Sequence, residues 1–114
     1  MSSLERYACA ISDWDEESFV KLAKALKRDF AKEFKQYGIT IKEYIRGYFY
    51  VSLFVEKNDK FVYISVPDIR YFPWGGDAVL YREAKNEKDF VGRNNCYAAF
   101  TNVVDEVQKL LNNE

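Results

Sequence analysis

No histidine stands among the 114 residues, and that bounds the chemistry open to the chain. Ser–His and Cys–His nucleophile pairs are excluded, with imidazole acid–base catalysis and the commonest nitrogen ligand of zinc. Cys9 and Cys96 lie far apart and lack metal-type spacing. Cys9 has no neighbouring base to lower its pKa, while Cys96 follows Arg93 and is somewhat more open to a role. The acidic run Asp13-Trp14-Asp15-Glu16-Glu17 could be drawn as a metal or acid–base cluster. It is also what a helix N-terminus favours, because carboxylates there meet the positive end of the helix dipole. Glu83, Glu87 and Asp89 are interleaved with Arg82, Lys85 and Lys88, the mixture of a solvated loop. Neither a Gly-rich phosphate loop nor a dinucleotide fingerprint occurs. The expectation is a non-enzymatic chain with no catalytic residues, no metal and no cofactor.

Residues suited to binding stand out instead. The sequence Arg70-Tyr71-Phe72-Pro73-Trp74-Gly75-Gly76 combines the side chains that dominate interface hot spots. These aromatics can equally fold back over a sheet end as core. The expected partner-binding set is Arg70, Tyr71, Phe72, Trp74 and Arg82, joined by Tyr48, Tyr50 and Tyr63 from a strand face. A second surface is basic. At about 100° per residue, Lys21, Lys24, Arg28, Lys32 and Lys35 fall on one helix ridge, suited to a phosphate backbone or an acidic protein. A solvated outer helix face shows the same pattern, and Glu17 partly compensates Lys21.

The elements that must position these residues follow from periodicity. Asp13 and Glu16 have the form of a capping box, and Phe19, Leu22, Ala23, Leu26, Phe30, Phe34 and Tyr37 recur at helical steps until Gly38. The period then changes to two. Ile39, Ile41 and Ile45 suit a short first strand, and residues 48–56 alternate strictly. Lys57-Asn58-Asp59-Lys60 reads as a tight hairpin leading to a strand over 61–66, which Pro67 stops. Residues 78–84 read as another strand, 85–95 as a polar turn-rich loop, and about 98–111 as a second helix. The expected fold is a single α+β domain over 1–114. A long N-terminal helix precedes an antiparallel sheet of three to four strands, with a C-terminal helix packed on one face. Phe49, Val51, Leu53, Val55, Val62, Ile64 and Val66 should then lie under the helices, leaving Tyr48, Tyr50, Phe54, Phe61 and Tyr63 opposite.

Nine Phe, nine Tyr and two Trp are a surplus that suits both cores and interfaces. The net charge of −1 gives no global attraction to nucleic acid, although residues 21–46 carry a local excess of +5. No run approaches the roughly 20 apolar residues of a membrane span. The first residues lack the form of a signal peptide, so a cytoplasmic protein without membrane contact is expected.

From Tyr63 to Tyr97 the chain resembles small proteins of phages and conjugative elements of gut and oral bacteria. The resemblance lies in Ile64-Ser65-Val66-Pro67-Asp68-Ile69-Arg70-Tyr71, Leu80-Tyr81-Arg82-Glu83-Ala84-Lys85-Asn86-Glu87-Lys88-Asp89 and Gly92-Arg93-Asn94-Asn95. Some of these are similar to anti-CRISPR inhibitors. The resemblance implies a protein-binding inhibitor of a host factor such as a CRISPR–Cas effector, acting in the host cytoplasm without catalytic residues. The alternatives are a nucleic-acid-binding accessory protein using the basic helix face, and a self-associating small domain, a homodimer included.

Overall fold

A computed structural model describes residues 16–47, 50–66, 78–91, 94–99 and 102–112. The chain is α+β, with helix α1 (Glu16–Lys35), strands β1 (Thr40–Arg46), β2 (Val51–Lys57), β3 (Lys60–Val66), β4 (Ala78–Ala84) and β5 (Cys96–Ala99), and helix α2 (Val103–Asn112). The strands form one antiparallel sheet in the order β1-β2-β3-β4-β5, each paired with its sequence neighbours.

Local chemistry explains the junctions. At the end of α1, Gly38 adopts φ 72° and donates to the Lys35 carbonyl, while the Ile39 N–H reaches back to the Phe34 carbonyl at 3.1 Å. This double closure needs a left-handed residue, which glycine supplies without steric cost. It also turns Ile39 inward, so that Ile39 and Phe34 are both buried in the core. Between β2 and β3, Asn58 (φ 54°) and Asp59 (φ 67°) take the paired positive angles that match a two-residue turn to the twist of a hairpin.

β2 and β3 carry the centre of the core. Val51, Leu53 and Val55 stand opposite Val66, Ile64 and Val62, and all six are buried together with Ala23, Leu26, Phe30 and Phe34 of α1 and Val103, Val104, Val107 and Leu111 of α2. Both helices therefore cover the same sheet face. They also touch each other, and from the turn after α1 the Tyr37 hydroxyl donates to Asp105 Oδ1 of α2 at 3.1 Å.

Two expectations are corrected. The sheet has five strands rather than three to four, and α2 begins at Val103 rather than near Ala98. Ala98 and Ala99 favour a helix by intrinsic propensity, but they pair with Val79 and Ala78 in the β4–β5 ladder. In β1 the register shifts between Ile41 and Glu43. This bulge reverses the alternation, so Tyr44 rather than Ile45 joins Ile41 on the helix side. The Tyr44 hydroxyl then donates to the Ala23 carbonyl of α1 at 2.7 Å. No helix among the described residues is long and apolar enough to cross a membrane.

Candidate functional site

Pairing places two rows of side chains on the sheet face away from the helices. Ser52, Ser65, Leu80 and Tyr97 form one, and Phe54, Tyr63 and Arg82 the other. The second row is a connected stack. The Phe54 and Tyr63 rings lie 4.9 Å apart at 47°, and the Arg82 guanidinium lies 4.5 Å from the Tyr63 ring centroid. The Tyr63 hydroxyl donates to Ser52 Oγ at 3.1 Å, so the stack also reaches the first row.

Arg82 is only 2% exposed. It was expected at the partner surface, yet its donors serve its own chain. Nη1 donates to the Glu83 carbonyl at 3.2 Å and Nη2 to the Asp89 carbonyl at 2.6 Å, with the Asp89 carboxylate 4.0 Å away. A buried guanidinium needs such partners, because desolvating a charge without them is expensive. Asp89 in turn ties the segment after β4 into a compact turn, accepting from the Lys85 N–H at 2.9 Å and the Val91 N–H at 3.3 Å. The Lys85 N–H holds the Asp89 carboxyl below its ordinary value. Partial desolvation opposes this, while the Val91 N–H and the charges of Arg82 and Lys85 reinforce it.

This turn delivers Phe90 onto the stack. Its ring meets Phe54 at 5.1 Å and 83°, and Tyr63 at 6.0 Å and 75°, edge-on geometries that aromatic pairs favour. Phe54 lies on the outer face, opposite the helices, and is buried there. Phe90 itself stays 58% exposed, beside Val91 at 85%, and Tyr97 in the adjoining row is 64% exposed. Next to Phe90 is a groove of about 310 Å³, lined among the described residues by Glu83, Ala84, Lys85, Asp89, Val91 and Asn94.

The other expected residues fall as follows. Tyr63 is half-buried within the stack, and Tyr50, just before β2, is 42% exposed. The Tyr50 ring covers Gly47, where any side chain would overlap it. Tyr48, Phe49, Arg70, Tyr71, Phe72 and Trp74 lie outside the described residues, as do Cys9 and the capping candidate Asp13. Lys21, Lys24, Arg28, Lys32 and Lys35 are all exposed along α1. Cys96 carries a free, half-buried thiol across the β4–β5 ladder from Tyr81. Burial first, then the neighbouring Cys96 and Glu106, pushes the Tyr81 phenol above its ordinary value. Among the described residues no three His, Cys, Asp or Glu side chains group as metal ligands would.

Sequence reasoning missed Phe90, Val91 and Tyr97. The signal was an isolated Phe-Val pair within a polar stretch, where loop composition drew attention away from the two residues that break it. No family model matches the chain, and no curated protein or solved structure does either.

Proposed function

We propose that the chain is a non-enzymatic protein-binding module whose contact surface is the outer sheet face around Phe90, Val91 and Tyr97. One observation carries this reading: Phe90 is more than half exposed while being held edge-on against Phe54 and Tyr63. A large apolar ring that is both exposed and already ordered loses little rotamer freedom on contact, which is the property of interface anchors. The groove beside it is large enough to receive a partner side chain. Tyr50 and Tyr63 extend the surface along the sheet, and the segment with Arg70, Tyr71, Phe72 and Trp74 joins β3 to β4 and belongs to the same proposal.

The resemblance to anti-CRISPR inhibitors makes a CRISPR–Cas effector the first host factor to try. The test is immobilised chain against a panel of purified effector nucleases, with Phe90→Ala/Tyr97→Ala alongside. Capture by the wild type that the double variant loses supports the reading. Capture that survives the double variant moves the contact elsewhere, and capture of no effector discards that partner class.

A further inference from the structure

We propose that the solvent ridge of α1 docks the phosphate backbone of a double-stranded nucleic acid without reading its sequence. Lys21, Lys24, Arg28, Lys32 and Lys35 are exposed and follow one another at steps of three and four residues. At about 1.5 Å of rise per residue they form a row of about 21 Å. One strand of a duplex offers a phosphate every 3.4 Å or so of axial rise, so the row spans about six phosphates.

Over residues 17–35 six bases stand against Glu17, Asp29 and Glu33, so the stretch stays basic although Glu17 partly compensates Lys21. Asp29 is buried, and Glu33 accepts from Gln36 Nε2 at 2.6 Å on the flank of the helix. Arg28 lies 3.6 Å from Asp29, yet its side chain is 71% exposed. Four of the five bases are lysines, hydrated point charges on flexible stems that suit tracking a backbone rather than bidentate recognition of one group. The net charge of −1 does not cancel the ridge, because carboxylates farther away than the screening length of about 8 Å contribute little in physiological salt. The ridge belongs to the helix layer, on the far side of the sheet from Phe90 and Tyr97. The two surfaces are therefore independent.

The test is fluorescence anisotropy of a labelled duplex of about 20 base pairs titrated with the full chain at about 50 mM salt. The expected result is binding whose logarithm falls against log salt with a slope of about −4, for four to five phosphates neutralised. Lys24→Gln/Arg28→Gln/Lys32→Gln/Lys35→Gln, all exposed positions whose fold is checked by circular dichroism, should lose at least about tenfold in affinity, as losing four phosphate contacts requires. No anisotropy change, a flat salt dependence or an unaffected variant overturns the proposal. So does tighter binding to the same-length single strand, or competition by poly-glutamate as effective as by unlabelled duplex, which assigns the ridge to an acidic protein.

Discussion

The ring of Phe90 stands edge-on to that of Phe54, centroids 5.1 Å apart and planes at 83°, although one belongs to a turn and the other to a central strand. Replacing Phe90 by Ala removes this contact and the one to Tyr63. Each such pair contributes about 0.5–1.5 kcal/mol, and more than half of the ring is already in water. The expected destabilisation is about 1 kcal/mol, a fall in Tm of roughly 4 °C that leaves the fold intact. A thermal melt checks it, and a collapse of the cooperative transition would show that Phe90 is core rather than surface.

Arg82 fastens the turn to the sheet. Arg82→Met keeps the apolar length but leaves the Glu83 and Asp89 carbonyls without their charged donor, at a cost of about 2–3 kcal/mol. Arg82→Lys should recover little of this, because one ammonium cannot reproduce the planar fork that serves two carbonyls while lying over Tyr63. Urea unfolding measures both variants. Full stability in Arg82→Lys would mean that charge alone suffices.

The pH response of the turn follows from Asp89. Its folded pKa is depressed below 3.8, chiefly by the Lys85 N–H. A depressed carboxyl contributes stability that is present above the unfolded value and lost as pH falls through the folded one. The protection of the Lys85 and Val91 amides, their exchange taken relative to the intrinsic rate at each pH, should therefore hold above 3.8 and fall only below it. Asp89→Asn, which cannot ionise, should abolish the pH dependence. Opening of the turn well above 3.8 would assign its order to another group.

At the alkaline end the contact between helices responds with the opposite sign. The hydrogen bond to Asp105 raises the Tyr37 phenol above 10.0, with the Asp105 charge, partial desolvation and Glu33 adding to it. The Tyr37–Asp105 hydrogen bond, from the turn after α1 to α2, is then intact below 10.0 and is lost as pH rises through the raised value. Tyrosinate absorbance, read as the difference between wild type and Tyr37→Phe, should show a titration above 10.0 that Asp105→Asn shifts downward. An unshifted titration in Asp105→Asn would break the assignment.

The α+β class and the helix-facing core were legible because one chemical signal decides each. Strict alternation assigned Val51, Leu53 and Val55 to the face that both helices cover, and the positive φ at Asn58, Asp59 and Gly38 followed from residue type. What failed depended on partners distant in sequence. Ala98 and Ala99 became a strand because β4 offered a free edge, and Tyr44 turned inward because a bulge shifted the register. In the candidate site, Arg82 and Tyr63 were singled out for an exposed role. Their stacking on each other, and the seven-residue reach from Arg82 to Asp89, depend on a turn whose composition reads only as polar. Phe90 gained its place from that turn.

The central claim is that the outer sheet face holds a protein partner through Phe90 and Tyr97. The most direct measurement is the dissociation constant, by calorimetry, for any effector nuclease that the proposed panel yields as a partner, for wild type and for Phe90→Ala/Tyr97→Ala. Loss of two exposed aromatic anchors of about 2 kcal/mol each predicts a weakening of at least about a hundredfold. The circular dichroism spectrum should be unchanged. A dissociation constant that stays within about twofold of wild type would contradict the account.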